Sequence, residues 1–187
     1  MGKLVVSEFV SVDGVVEDPG GSENWDRGGW AFEYERGAEG DQFKLDETMS
    51  SDALLLGRVT YEGFADAWPK RDGEFADKFN TMPKYVVSNT LENPEWTNTT
   101  VIGGDLAETV AELKQRHEGD VVVHGSPRLV QALIEQDLVD ELRLMVFPVV
   151  LGSGQRLFGE TSAPARLELV DSKPAGETII LTYVRKS

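Results

Sequence analysis

The ten residues VVVHGSPRLV, at positions 121–130, decide the fold class of this chain. The three valines predict a short buried strand, and Gly125 permits a sharp turn or a close approach of the backbone to a ligand. Ser126 is a favoured N-cap residue, and Pro127 stands at the first helical position, where proline is best tolerated. We therefore predict a strand that passes directly into a helix, whose free N–H groups and dipole suit an anion such as phosphate.

A second junction of this kind lies upstream. Residues 52–56 (DALLL) predict a short apolar strand, and Gly57 predicts a tight turn after it. Arg58 supplies a planar fork of donors that matches two phosphate oxygens, and Thr60 adds a hydroxyl at the helix start. A single junction has mostly a structural meaning, because α/β proteins contain several of them. Two such junctions can hold the two ends of one pyrophosphate.

Composition narrows the classes of function. The chain has no cysteine, which excludes disulfides, thiolate nucleophiles and cysteine-ligated zinc. Because His117 and His124 are its only histidines, we expect no metal site. The net charge of −15 argues against nucleic acid, whose phosphates need a basic surface, but allows a small anion held by local positive charge. No serine-hydrolase elbow, P-loop or Gly-x-Gly-x-x-Gly fingerprint occurs.

Length and hydropathy indicate an ordinary globular protein. The 187 residues suit a single domain, residues 1–187, with a core of its own. No apolar run approaches the roughly 20 residues that span a bilayer, and the first residues lack the pattern of a signal peptide. We therefore expect a cytoplasmic protein with no membrane partner.

Apolar periodicity predicts strands that alternate with helices, which is typical of a mainly parallel sheet flanked by helices. The helix over residues 38–51 is expected to place Phe43, Leu45 and Met49 in the core, and Asp105 is expected to cap a later helix. The last two predicted strands form an antiparallel pair, so the fold class is α/β with a mixed sheet. The predicted strands lie at about 3–12, 52–56, 84–88, 100–102, 121–123, 141–147, 166–170 and 178–184.

Several segments resemble the dihydrofolate-reductase-like fold, and within it the family of the riboflavin-biosynthesis reductase domain. Their order and spacing match that family over nearly the whole chain. They are a Ser-x-Asp-Gly segment at 11–14, a Gly-Arg-x-Thr segment at 57–62, a glycine turn at 122–126, and a late strand with its pocket loop at 138–142 and 147–152. The chain lacks the zinc-binding cysteines of the bifunctional riboflavin enzyme and the Leu-Pro-Trp segment of dihydrofolate reductases. It is therefore most similar to stand-alone bacterial members with another substrate.

The resemblance implies a reductase that passes hydride from NADPH to a small heterocyclic substrate of the pterin or pyrimidine type, and a homodimer. The cofactor phosphates would lie against the two junctions and the adenosine end against the turn Ser88-Asn89-Thr90, for which an ordinary polar turn is the alternative. The implied cofactor-binding residues are Gly57, Arg58, Thr60, Ser88, Asn89, Gly125, Ser126, Arg128 and Leu129. A partner chain would cover the apolar late-strand residues Leu144, Val146, Val149 and Val150, unless these complete the core.

Asp41 is the first candidate proton donor, because it stands at the distance before Gly57 at which dihydrofolate reductases place their active-site carboxylate. A buried acid with a raised pKa there can deliver a proton while hydride arrives. The alternative is an aspartate that complements the helix dipole, and Asp46 and Glu47 are rivals. His124, the second catalytic candidate, either contacts the nicotinamide or substrate or is a buried imidazole satisfied by the fold.

Four further residues are candidates for substrate binding. Asp13 lies in the Ser-x-Asp-Gly loop, Trp25 lies in a long glycine-rich loop that predicts a lid or pocket wall, and Leu151 with Gly152 lies in the late loop. The alternatives are a capped turn, loop packing and a plain turn. Two other classes of function stay open: a nucleotide-binding module or sensor without turnover, and a reductase scaffold that serves only as a structural partner.

Overall fold

The computed structural model describes residues 1–186. The strands in this range are β1 (Leu4–Ser11), β2 (Ser51–Gly57), β3 (Lys84–Val87), β4 (Thr99–Ile102), β5 (Asp120–Val123), β6 (Glu141–Phe147), β7 (Leu167–Ala175) and β8 (Thr178–Arg185). The α-helices are α1 (Gly37–Ser50), α2 (Arg58–Ala67), α3 (Glu74–Thr81), α4 (Leu106–Arg116) and α5 (Pro127–Glu135). None of the helices within residues 1–186 is long and apolar enough to cross a bilayer.

The strands form one sheet in the order β4-β3-β2-β5-β1-β6-β8-β7. The pairings from β4 across to β6 are parallel, whereas β8 pairs antiparallel with both β6 and β7. The predicted α/β fold class, a mainly parallel mixed sheet with an antiparallel C-terminal pair, is confirmed. The N-cap prediction at Asp105 is also confirmed, since its side chain accepts the N–H of Glu108 over 2.9 Å.

Helices cover both faces of the parallel part of the sheet, so its strands are apolar on both sides. Along β1, Leu4, Val6 and Val10 pack into the core shared with α4 and α5. Val5 points to the opposite face, into the core that includes Tyr61 of α2 and Phe79 of α3. This arrangement explains why β1, β2 and β5 read as nearly continuous apolar runs, and why a polar residue within one of them is informative.

The face that α1 buries differs from the predicted one. Met49 is 42% exposed and Leu45 is half-buried, whereas Phe43, also half-buried, packs against an apolar core cluster as expected. The buried face of α1 instead carries Gly40, Lys44, Glu47 and Thr48. This helix packs over polar groups of β1, where ion pairs replace apolar contacts.

The antiparallel pair at the C-terminus is longer than predicted. β7 continues through Pro174 to Ala175, and the turn to β8 consists of Gly176 and Glu177. Proline lacks an N–H, and strands tolerate it at the edge of a sheet, which is the position of β7.

Candidate active site

A cleft of about 1270 Å³ opens where β1 and β5 diverge. The ladder between these strands ends at the pair Val6 and Val123, whereas β1 continues along β6 as far as Ser11. In open α/β sheets, ligands bind at such a point, outside the carboxyl ends of the strands. A pocket for one small molecule is typically about 300–1000 Å³, so this cleft has room for a cofactor beside a substrate.

Hydrogen bonds tie the two strand-to-helix junctions to each other at one end of the cleft. The backbone N–H of Gly57 donates to Ser126 Oγ over 2.9 Å, and the N–H of Ser126 donates to Thr60 Oγ1 over 2.8 Å. Gly125 has a φ of +56°, and a β-carbon there would lie 2.7 Å from Thr60 Oγ1, so the position requires glycine. The structure thus brings both predicted junctions together.

Ser126 does not cap α5, which corrects the prediction. Its backbone is left-handed, with a φ of +55°, and its side chain makes no capping hydrogen bond. The hydroxyl accepts the N–H of Gly57 and donates to the carbonyl oxygen of His124 over 3.1 Å. A buried backbone N–H without a hydrogen-bond partner costs free energy. The hydroxyl of Ser126 therefore serves the N–H of Gly57 in the neighbouring junction and not the start of α5.

The protein itself uses part of the predicted anion site. The N–H groups of Gly57, Gly125 and Ser126 all donate to side chains. The first N–H groups of a helix have no partner within that helix, so those of the first turns of α2 and α5 are available to a ligand. They belong to residues that line the cleft: Arg58 and Val59 in α2, and Arg128 and Leu129 in α5.

Arg58 connects this end of the cleft to the turn Ser88-Asn89-Thr90. Its Nη1 donates to Thr90 Oγ1 over 3.1 Å. Ser88 Oγ accepts the N–H of Thr90 over 3.1 Å and so closes the turn, while Asn89 is exposed. The turn adjoins the cleft without lining it, a position within reach of the far end of an extended ligand.

His124 lies at the apex of the cleft, as an uncharged imidazole. Its Nδ1 is 2.9 Å from the carbonyl oxygen of Ser7, and since a carbonyl only accepts, Nδ1 carries the proton. Burial, together with the positive charge of Lys44, lowers the pKa of His124 to about 4. The other ring nitrogen, Nε2, is therefore an acceptor at neutral pH.

Asp41 lies on the rim of the cleft, and the expectation of a buried acid there is corrected. Its side chain is 66% exposed, and its Oδ1 accepts from Arg36 Nε over 2.6 Å. Lys44 and Glu47 belong to the buried face of α1. Asp41 lies beside that face, in the N-terminal half of the helix.

A buried ionic network lies below the cleft, and of its members the sequence pattern pointed only to Glu47. We define it as Lys44, Glu47 and Arg143, with Asp120 and Glu141. Lys44 Nζ contacts Glu47 Oε2, and both also contact Ser7 Oγ over 2.9 Å. Arg143 lies 3.4 Å from Glu47, 2.9 Å from Asp120 and 2.7 Å from Glu141. Burial is the largest single effect and by itself would raise the pKa of Glu47, but the charge of Lys44 and the hydrogen bonds from Lys44 and Ser7 together outweigh it, and the pKa falls to about 2.

Glu8 is a second acid that the sequence pattern did not single out. It is 5% exposed and lines the cleft. Its Oε2 accepts the N–H of Gly125 over 3.0 Å, and burial raises its pKa well above the usual value. The signal that could have revealed it is a charged residue within the apolar run of a central strand, because such residues are almost never fully buried unless they are paired.

The four predicted substrate-binding residues lie together, but none of them lines the cleft. Asp13 accepts from Ser11 Oγ over 2.6 Å and from the N–H groups of Leu151 and Gly152 over 3.1 and 2.8 Å. The hydrogen bond from Ser11 is the main reason why the pKa of Asp13 falls to about 2. Trp25 packs into the nearby apolar cluster. These residues fasten the loop after β6 to the loop after β1.

Comparisons with known proteins agree with this geometry. The family model of the RibD C-terminal domain matches residues 2–181. The uncharacterized protein YwjB of Bacillus subtilis (strain 168) is 31% identical over 183 residues, which cover 98% of each chain. A crystallised protein from Shewanella sp. PV-4, named for riboflavin biosynthesis, superposes with a TM-score of 0.79 at 22% identity over 99% of each chain.

The dihydrofolate reductase of Enterococcus faecalis, solved in complex with NADP(H), has a TM-score of 0.59 at 18% identity. The match covers 99% of this chain and 97% of that enzyme. The predicted dihydrofolate-reductase-like fold is therefore confirmed. The chain belongs to the family of the RibD C-terminal domain and shares the fold of its reductases.

Proposed function

We propose that the protein is an NADPH-dependent reductase, a single domain over residues 1–187, that transfers hydride to a small pterin- or pyrimidine-like heterocycle. One observation carries the proposal: the two strand-to-helix junctions are joined at one end of a cleft that is large enough for a dinucleotide. The complex of the Enterococcus faecalis reductase with NADP(H) supports the choice of cofactor.

The residues at the junctions fit a dinucleotide. Free N–H groups of the first turns of α2 and α5 would hold its diphosphate, and Gly125 allows the backbone to approach closely. Arg58, at the turn Ser88-Asn89-Thr90, would hold the additional phosphate that distinguishes NADPH from NADH. When bound, the cofactor supplies a hydride at its nicotinamide ring.

The remaining walls of the cleft suit a flat ring. Four aromatic side chains from α2, α3 and the turn between them line one wall: Phe64, Trp68, Phe75 and Phe79. Trp68 stacks on Phe75 at a centroid distance of 5.1 Å, which leaves a rigid apolar surface. Lys44 and the acceptor Nε2 of His124 provide polar contacts at the apex. Such a wall excludes water from a planar substrate and orients it.

Titration calorimetry tests the cofactor assignment. We expect NADPH to bind more tightly than NADH, and Arg58→Ala to weaken NADPH binding roughly ten- to a hundredfold, since a charge-assisted hydrogen bond contributes about 1.5–3 kcal/mol. Arg166→Ala, the same change outside the cleft, is the matched control. Equal affinity for the two cofactors would contradict the role of Arg58.

An acceptor screen tests turnover. NADPH oxidation with a cyclic pterin, pyrimidine or quinone-like acceptor is the expected result. NADPH binding without oxidation by any acceptor would favour a nucleotide-binding module or sensor, and loss of NADPH binding would favour a purely structural role.

We also propose a homodimer, on a different surface from the one first expected. Leu144 is buried, Val146 and Val149 pack against core clusters, and of the four expected residues only Val150 is largely exposed. Four exposed apolar side chains lie on the antiparallel pair: Leu167, Leu169, Val170 and Ile179. An exposed edge strand with apolar side chains favours pairing with a second copy. Sedimentation equilibrium at micromolar concentration that gives the mass of one chain would refute the dimer.

A further inference from the structure

Glu8 is a buried acid on the floor of the cleft. It lies two positions past Val6, the last β1 residue of the β1–β5 ladder, and beside the turn that follows β5. There His124 Nδ1 donates to the carbonyl oxygen of Ser7, and the N–H of Gly125 donates to Glu8 Oε2. The carboxyl group is thereby held rigidly between β1 and the start of α5.

The second oxygen of Glu8, Oε1, is buried and has no hydrogen-bond partner among the residues that the structure describes. Buried polar atoms in folded proteins are nearly always bonded, so an orphaned one calls for an explanation. Because Oε2 already accepts a hydrogen bond, a proton on this carboxyl belongs on Oε1. Since Glu8 is one of the residues that line the cleft, this proton lies at the cleft wall.

The surroundings of Glu8 favour its uncharged form. The charged groups that act on it are Lys44 and Glu47, both from α1. Lys44 is already paired with Glu47, and His124 from the β5–α5 turn is uncharged. Burial raises the pKa of Glu8 well above the usual value, although the N–H of Gly125 and the charge of Lys44 act in the opposite direction, and the carboxylate of Glu47 adds a smaller raising effect. The side chain therefore keeps its proton at pH values at which ordinary glutamates are ionised.

Other candidates for a proton donor are committed elsewhere. Asp41 is exposed and paired with Arg36. His124 has its proton on Nδ1, directed at Ser7 and away from a ligand. Tyr61 is buried in the core and does not line the cleft, and its hydroxyl accepts the N–H of Trp96.

We propose that Glu8 is the residue that protonates the substrate, a role that rests on the reductase function proposed above. Hydride forms a new C–H bond at the carbon of a cyclic C=N or C=O group, and the electron pair of the double bond moves to the nitrogen or oxygen. The Glu8 O–H bond breaks, and its proton forms the new N–H or O–H bond. Glu8 is left as a carboxylate, which regains a proton from solvent through the open cleft.

The geometry also specifies the substrate class. A donor on the floor needs an acceptor at the reacting atom, so the reducible bond is a ring imine or carbonyl whose lone pair points toward β1. The aromatic wall formed by Phe64, Trp68, Phe75 and Phe79 suits the flat face of such a ring.

Glu8→Gln tests the role, because the amide keeps the shape and a donor but cannot transfer a proton. We expect it to lower the maximal rate by about 10²–10⁴-fold, the usual contribution of a general acid, with NADPH affinity unchanged. The loss of rate that wild type shows as pH rises through the pKa of Glu8 should disappear in the variant. Glu112→Gln, on the exposed face of α4, is the control.

A second measurement does not depend on turnover. NMR titration of ¹³C-labelled glutamate side chains, with Glu8→Gln used for assignment, should find one carboxyl that titrates well above the others. Glu8→Asp, which keeps the acid but shortens its reach, should retain that raised titration and recover part of the rate, provided that thermal melting shows a folded protein.

The possible outcomes separate this role from the proposed function. A Glu8 that titrates near 4.3, the value of an ordinary glutamate, would overturn the role of Glu8. Turnover that persists in Glu8→Gln would also overturn it, while leaving the reductase function intact. If wild type binds NADPH but oxidises it with no acceptor, the reductase function itself fails, and the role of Glu8 as an acid fails with it.

Discussion

Two buried carboxylates near the cleft, Glu8 on β1 and Glu47 on α1, have opposite protonation behaviour. Burial by itself would raise the pKa of both side chains. Glu47 has two cations beside it, Lys44 and Arg143, and the charge of Lys44 together with the hydrogen bonds from Lys44 and Ser7 brings its pKa to about 2. In the described part of the chain, Glu8 makes a hydrogen bond only with the N–H of Gly125, and although the charge of Lys44 also lowers its pKa, the pKa stays well above the usual value. Partners, rather than depth, decide which buried acid is ionised.

The difference in protonation gives the two acids different roles. The ionic network around Glu47 is saturated with partners, so it can hold α1 to the sheet but has no proton to give. Glu8, on the floor of the cleft, lacks a hydrogen-bond partner within residues 1–186 for one carboxyl oxygen, which lowers the stability of the fold. Groups with such perturbed pKa values are typical of functional sites. Three predictions test this contrast.

The largest effect is expected from Glu47→Gln. The variant leaves Lys44 and Arg143 buried without their shared carboxylate, and breaking a buried pair in this way costs about 3–5 kcal/mol of the free energy of unfolding. Urea unfolding at neutral pH measures it, with Glu112→Gln as the surface control. A loss below about 1 kcal/mol, the range of exposed ion pairs, would mean that the network does not stabilise α1.

The pH dependence of stability should have opposite signs at the two acids. Glu47, with a depressed pKa, contributes stability that is present above about pH 4.5 and is lost as pH falls toward about 2. Glu8, with a raised pKa, contributes stability that is lost as pH rises above about 4.5. Wild type should therefore lose about 1.4 kcal/mol per pH unit relative to Glu8→Gln, between the unfolded and folded pKa values of Glu8. Parallel stability curves for the two proteins would show that Glu8 is ionised in the fold.

The smallest effect is expected from Asp41→Asn. An exposed ion pair such as that of Asp41 with Arg36 contributes about 0–1 kcal/mol, so the maximal rate should fall by less than about tenfold. Steady-state kinetics beside Glu8→Gln makes the comparison direct. A maximal rate lowered a hundredfold or more in Asp41→Asn would indicate that Asp41, on the rim of the cleft, is the proton donor.

The strand-to-helix junctions were predictable because their signals are local. Valine runs favour strands, glycine permits the tight turn, and proline fits the first turn of a helix, so residues 121–130 and 52–60 determine their own structure. The order of these junctions along the chain, with the alternation of apolar patterns, was enough for the α/β class and the mixed sheet.

The partners of polar side chains were not predictable in the same way. Ser126 looks like an N-cap in isolation, but the N–H of Gly57, 69 positions away, takes its hydroxyl. Helix α1 was expected to bury Phe43 and Leu45, because periodicity counts apolar residues and cannot foresee that Glu47 will meet Arg143 from β6.

The amino-acid order thus determines what depends on neighbours in the chain: the helices and strands, their order, and the two junctions at which a strand passes directly into a helix. The protonation of Glu8, Glu47 and His124 depends on groups brought from distant elements, because a pKa responds to burial and to charges within a few ångströms. Only the folded sheet places Glu8 beside Gly125, gives the cations to Glu47, and leaves one buried oxygen of Glu8 without a partner among the described residues.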